Sequence, residues 1–321
     1  MKIKIKILAP VHIGSGNKIS PLEYVSVGKN RVNNVFDGNF IRLNMESLFA
    51  DEGFKPNMEL FINSAKQASN RYIGDLLPAN LLLSHTLYKL PVSPSATGRA
   101  VIEVSEFVKS AGNVFIPGSS IKGALLSAVI YKIAKQKNIR NLREHNEILE
   151  SVLEEISEGK SGRFSRWLDV TDTDRIAPET SLEISYTESR GRGKSIPVVY
   201  ETLRTGTEFE FEMKTGIEDF YQFGKLSCEE ILEASNDFYT KILRKSRYNF
   251  TTSHKGFLLR LGQGSSVLST SLLLLAEELN IRNYKVFRPG RLAPLLPGQN
   301  PATAKLIGRD TSMGWVVMQI V

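Results

Sequence analysis

At 321 residues and 41% hydrophobic composition, the chain has the size for two modest domains and the make-up of an ordinary globular protein. Its 41 lysines and arginines against 34 acids leave a formal charge of +7, which suits nucleic acid or an acidic membrane surface as partner. The single cysteine, Cys228, excludes an intrachain disulfide and a structural zinc site. The longest apolar run, Leu272–Ala276, falls far short of the ~20 residues that span a bilayer, so a cytoplasmic protein without a membrane anchor is expected.

Lys2–Leu8 alternates lysine with apolar residues, the period of a strand with one buried face, and lacks the continuous apolar core of a signal peptide. A turn at His12–Asn17 should end it. Pro21–Val27 and Val32–Phe36 then read as short strands around Gly28-Lys29-Asn30. Asn57–Gln67 is expected to be a helix with Leu60, Phe61, Ala65 and Ala68 on one side. Residues 70–98 alternate proline, serine and short apolar segments, an irregular insertion around a strand at Thr86–Leu90. Pro117-Gly118 breaks the chain ahead of a helix over Ser120–Gln136, where Ile121, Ala124, Leu125, Ala128, Val129 and Ile133 recur at helical spacing. A second helix is expected at Leu142–Ser157, followed by a basic linker at Gly159–Arg163. Strands follow at Trp167–Val170, Leu182–Thr187, Val198–Leu203 and Glu208–Met213, with a basic tip, Ser189–Lys194, between the second and third. Ser227 and Glu230 form a capping box for a helix reaching about Arg247. Strands and helices without regular β–α alternation make the fold α+β.

Three segments combine glycines with small hydroxyl residues: Pro10–Gly16, Ile116–Leu125 and Leu258–Ser266. Glycine lets backbone approach a ligand closely, and amides at a helix start suit an anion. Three such segments in one basic chain point to a polyanion. Lys122 follows Ser119 and Ser120, so amides, hydroxyls and an ammonium could meet one phosphate there. Lys255, Arg190, Arg192 and Lys194 are weaker candidates, since flexible basic loops are usually just solvated.

Other motifs are set aside on spacing. Gly14-Ser15-Gly16 has no third glycine and leads into strand-like residues, against a dinucleotide fingerprint. Gly193-Lys194-Ser195 imitates a P-loop, but Glu188 stands where the leading glycine is needed. Asp169, Asp172 and Asp174 do not share one strand face and read as strand-end and turn residues. The histidines, His12, His85, His145 and His254, are not at metal-ligand spacing, and no serine triad is legible. No cofactor or metal is expected.

The strings PVHIGSG at 10–16, FIPGSSIKGAL at 115–125, LDVTDTD at 168–174, ETLRTGTEFEFEM at 201–213 and MGWV at 313–316 together resemble the RAMP superfamily of CRISPR–Cas proteins. Within it they are similar to the subunit that caps the crRNA 3′ side of type III-A (Csm) interference complexes. The resemblance implies two ferredoxin-like (RRM-like) domains with helical insertions. The first spans residues 1–200 with an insertion at about 40–115, and the second, 201–321, carries the glycine-rich loop. It implies a non-catalytic crRNA-binding role in crRNA maturation and antiviral defence. The implied partners are crRNA, the backbone RAMP subunit, the small helical subunit and host nucleases. The implied RNA contacts are His12, Gly14, Ser15, Gly16, Ser119, Ser120, Lys122, Gly123, Lys255, Arg260, Gly262, Gln263 and Gly264. The alternatives are a RAMP endoribonuclease using His12 or an aspartate, and a protein-docking subunit that hardly touches RNA.

Overall fold

The computed structural model describes residues 1–29, 31–66, 71–138, 167–190, 197–216, 226–245, 255–265, 267–282, 284–285, 304–308 and 311–321. Strands β1 (Lys2–Ile7), β2 (Gly14–Ile19), β3 (Tyr24–Gly28), β4 (Arg31–Asn33) and β5 (Asn39–Leu43) come first. Three helices follow, α1 (Met45–Ala50), α2 (Met58–Lys66) and α3 (Ala79–Ser84), then β6 (Thr86–Pro91), β7 (Val104–Phe107), β8 (Lys109–Ser110), β9 (Asn113–Val114) and α4 (Gly118–Gln136). Beyond residue 166 lie β10 (Leu168–Val170), α5 (Pro178–Ser181), β11 (Leu182–Arg190), β12 (Val198–Leu203), β13 (Glu208–Thr215) and α6 (Cys228–Lys245). The chain closes with β14 (Phe257–Arg260), α7 (Leu273–Glu278), β15 (Ala304–Ile307), β16 (Thr311–Ser312) and β17 (Trp315–Ile320). The expected helix at 142–157, the linker at 159–163 and most of the basic tip at 189–194 lie outside the described residues.

One sheet has the order β10-β13-β1-β17-β14 and is antiparallel throughout. The alternation in β1 sets its faces. Ile3 and Ile5 pair with Phe211 and Phe209 and are buried, each such side chain contributing ~1.5–3 kcal/mol. On the other face Lys2 meets Glu210 at 2.7 Å and Lys6 meets Glu208 at 3.0 Å; such exposed pairs contribute little. Helices α4 and α6 pack together against this sheet, with Tyr131 and Phe238 ring centroids 4.9 Å apart. The α6 capping box forms: the Ser227 amide donates to Glu230 Oε2 at 2.7 Å and the Glu230 amide to Ser227 Oγ at 3.2 Å.

A second sheet runs β16-β15-β11-β12-β7-β2, and a third, β4-β3-β5-β6, carries α1–α3 within the region expected to be an insertion. Strand pairing crosses residue 200 in both large sheets: β1 lies between β13 and β17, and β11 between β12 and β15. The first glycine segment corrects the expected turn. Residues 14–19 form an edge strand against β7, with a bulge between Gly14 and Lys18.

Candidate nucleic-acid interface

Strand direction places the three glycine segments. Both β10 and β14 are separated from β1 by one antiparallel neighbour, so all three strands run the same way and end at the same end of the sheet. His12 follows β1, the loop at 261–265 follows β14, and α4 starts against the end of β10. A Cβ on Gly118 would lie 2.3 Å from the Val170 carbonyl oxygen, so only glycine allows this approach.

Residues 8–13 form a strap between the two large sheets. The Leu8 and Ala9 amides donate to the Trp315 carbonyl, and the Gly314 amide donates to that of Pro10. The Leu203 amide donates to the Val11 carbonyl, the Gln263 amide to that of His12 at 2.8 Å, and the Val108 amide to that of Ile13. The MGWV segment and the glycine-rich loop are thus clasped to one strap. Gly262 has φ +68°, and a Cβ there would be 2.2 Å from the His12 carbonyl oxygen.

The strap turns His12 inward. Its ring is 2% exposed, 4.5 Å from that of Tyr200, and Nδ1 donates to the Glu201 carbonyl at 2.7 Å. The ring is therefore inside the chain and not on its surface, with apolar and backbone partners around it. Arg260 is buried in the same way. It is 5% exposed, with Nε donating to the Met313 carbonyl at 3.1 Å and an η nitrogen donating to the Gly264 carbonyl at 2.7 Å and Ser312 Oγ at 2.8 Å. Burial pushes its pKa down to about 10, which leaves it charged at neutral pH. Its donors hold the glycine-rich loop and do not face solvent. Lys255 is exposed at the start of β14, the opposite end of that strand from the loop.

The remaining expected contacts stay accessible. Gly14, Ser15 and Gly16 are exposed on β2, as are Ser119, Gly123, Gly262 and Gln263, while Ser120, Lys122 and Gly264 are half-buried. Carboxylates temper two of these places. Asp172 Oδ1 already accepts the Gly118 amide at 2.8 Å, so the α4 start is not an open set of amides. Glu106 Oε2 accepts from Ser15 Oγ at 3.1 Å and Asn17 Nδ2 at 3.4 Å, and Lys18 pairs with Glu103 at 2.8 Å. Behind the glycine-rich loop comes only a short 3-10 helix, Val267–Ser269, and the α-helix α7 starts at Leu273 with buried leucines.

The aspartates are engaged in the fold. Asp174 Oδ1 accepts the Glu210 amide at 2.7 Å, and Asp169 lies 3.9 Å from Lys214 on the surface. Among the described residues no three histidines, cysteines or acids are grouped to hold a metal.

Charge counting missed Glu201. Its side chain is 0% exposed; Oε1 accepts from the Tyr88 hydroxyl at 2.7 Å, and Oε2 accepts from the Phe107 amide at 2.8 Å and Lys109 Nζ at 2.5 Å. One acid thereby joins β6, β7, β12 and, through its own carbonyl, the His12 strap. A glutamate inside the apolar run Val198–Leu203 is the signal that could have found it.

Fold and site together describe an α+β protein with glycine segments gathered at one end of an antiparallel sheet, and the chain belongs to the RAMP superfamily, whose model matches residues 4–267. Within that superfamily it resembles a Streptococcus thermophilus protein named CRISPR system Cms protein Csm5, 24% identical over 309 residues, covering 88% of this chain and 83% of the relative. Its fold matches a chain in the cryo-EM structure of a Csm–crRNA–target RNA ternary complex of a type III-A CRISPR–Cas system, with TM-score 0.73 and 21% identity over 99% of this chain and 100% of that one. It also matches the crystal structure of T. onnurineus Csm5, with TM-score 0.67 and 21% identity, covering 98% of this chain and 99% of that one. No described helix is long and apolar enough to cross a membrane.

Proposed function

We propose that this chain is a non-catalytic crRNA-binding subunit of a type III-A Csm complex, capping the 3′ side of the crRNA and contributing to its maturation. The gathering of three glycine segments at one end of the five-stranded sheet carries the RNA reading. The ends of β10 and β14 are four strand spacings apart, roughly 19 Å, which suits an extended polymer better than one phosphate. The contacts we assign are Gly14–Gly16, Ser119, Ser120, Lys122, Gly123 and Gly262–Gly264. His12 and Arg260 support them from beneath.

The order β1-α4-β10-β13-α6-β17, with β14 added outside β17, fits a ferredoxin-like βαββαβ unit. We read the second large sheet as the other RRM-like unit, with the two cores interleaved along the chain. The 3′ position, the backbone and small helical subunits as neighbours, and recruitment of host nucleases rest on the resemblance to Csm5. The non-catalytic reading is supported by the use of Asp172 and Asp174 as backbone acceptors.

The test is reconstitution of the complex with wild-type chain and with Lys122→Ala, reading crRNA content and length. Lys122→Ala should reduce RNA retention with an unchanged melting temperature. RNA binding by the wild type should fall with salt at a log–log slope of about −0.7 per phosphate contact. Salt-independent association, or normal RNA content in the variant, overturns the RNA-contact assignment. Protein-dependent cleavage of crRNA precursor that is lost in Asp172→Ala overturns the non-catalytic reading.

A further inference from the structure

Large apolar side chains left in solvent are concentrated in one region. Phe49, Met58, Leu60, Ile62, Leu83 and Leu87 are 39–54% exposed, and all lie on α1–α3 or at the start of β6. Among the described residues the only others are Ile320 and Val321 at the C-terminus.

The region is built, not frayed. The Phe49 ring stands 5.2 Å from Phe54 and 5.3 Å from Phe61, with Phe54 fully buried beneath them. His85 Nε2 donates to Asp51 Oδ2 at 2.8 Å, tying the end of α1 to the turn after α3. Met58 and Ile62 are one helical turn apart on α2, the spacing of an anchor ridge. This is more apolar surface than scattered single residues present, and it has the character of an interaction site.

Charge selects the occupant. Residues 45–87 carry Glu46, Asp51, Glu52, Glu59 and Asp75 against Lys55, Lys66 and Arg71, a net negative stretch in a chain of +7; Glu52 pairs with Lys55 and Asp51 with His85, while Glu46 and Glu59 are exposed with no ion-pair partner among the described residues. An acidic rim repels RNA and anionic lipid. A second copy is disfavoured as well, because it would bring two net negative faces together. What complements an apolar ridge with an acidic rim is an apolar stripe flanked by lysine or arginine.

We propose that the face formed by α1, α2 and α3 docks an amphipathic basic helix of a partner protein. The mode is helix against helices, with Met58, Ile62 and Phe49 as anchors and Glu46 and Glu59 meeting the partner's cations. This surface lies on different elements from the glycine segments and stands or falls without the RNA assignment.

The probes are two fluorescein-labelled designed helical peptides with the same leucine stripe, one carrying lysine and the other glutamate on the polar face. Titrated with the full chain, the lysine peptide should bind at least about tenfold tighter than the glutamate peptide. Met58→Asp with Ile62→Asp removes two anchors and should weaken it by about tenfold or more. Glu59→Lys deletes no apolar group, so it tests the charge pairing even if the double variant is unstable; it should narrow the difference between the two peptides. Equal binding of both peptides, binding of neither, or indifference to both sets of substitutions overturns the proposal. A concentration-dependent dimer abolished by Met58→Asp with Ile62→Asp assigns the face to a second copy and also overturns it.

Discussion

The guanidinium of Arg260 lies over the Trp315 ring, 4.9 Å from its centroid, while its hydrogen bonds hold both the glycine-rich loop and the 312–313 backbone. Pairing of Arg260 with Trp315 across β14 and β17 sets this stack, so the cation is a clasp within the fold. A buried charge with several acceptors is costly to remove.

Arg260→Ala should therefore destabilise the protein by ~2–4 kcal/mol, since it strands the Gly264 and Met313 carbonyls and opens a void against Trp315. Denaturant titration gives the loss directly. Among the described residues no carbonyl or ring contact ties down Lys122 on α4, so Lys122→Ala should shift stability by no more than ~0.5 kcal/mol. RNA loss in Arg260→Ala would then track loop order, visible as faster amide exchange over 261–265.

Glu201→Ala should be more damaging, by ~3–5 kcal/mol, because Lys109 would keep a mostly buried ammonium with only longer contacts, to Glu106 at 3.5 Å and the Phe107 carbonyl at 3.4 Å, for compensation. Replacing both residues, as Glu201→Met with Lys109→Met, should recover much of the loss. Urea midpoints of the two variants decide this. A double variant no better than the single one would mean that the lost Tyr88 and Phe107 hydrogen bonds, and not the stranded charge, dominate.

The glycines should divide into two classes. Gly262→Ala adds a Cβ 2.2 Å from the His12 carbonyl oxygen at φ +68°, so the loop must leave the strap. Gly16→Ala, at φ +92° with nothing within 4 Å of the new Cβ, has only backbone strain to bear, ~1–3 kcal/mol. Melting temperatures should fall further for Gly262→Ala, and only that variant should disturb the His12 ring environment in NMR spectra.

The Asp51 carboxyl is held below the usual carboxylate range by the Gly53 amide and then by His85. With the folded value lowered, the unfolded chain binds more protons in the window beneath the ordinary carboxylate value, near ~3.9. The stabilisation is therefore complete above that value and is lost as pH falls through the lower folded one. Asp51→Asn should reduce the melting temperature at neutral pH, and the difference from wild type should shrink in acid. A constant difference across that range would mean the charge on Asp51 is not what ties α1 to His85.

Some of this protein was legible residue by residue. The Lys–Ile alternation of β1, the apolar spacing of α4 and the Ser227–Glu230 capping box are local: their causes lie within one turn or one strand, so the pattern is enough. The strings from PVHIGSG to MGWV likewise carried the RAMP resemblance, and the family match over residues 4–267 agrees. What depends on contacts between distant parts of the chain was decided only by the tertiary structure. Gly14–Ile19, with two glycines and an asparagine, has little intrinsic strand preference and becomes one because β7, about ninety residues on, supplies its hydrogen-bond partners. A cation such as Arg260 reads as surface from composition. It is buried because β14 pairs with β17, bringing a tryptophan ring, a serine hydroxyl and the Met313 carbonyl within its reach. His12 and Glu201, 189 residues apart, likewise meet only where the strap crosses between the sheets. Burial and polar pairing are properties of the assembled core, whereas glycine and charge patterns report only what the chain can do locally.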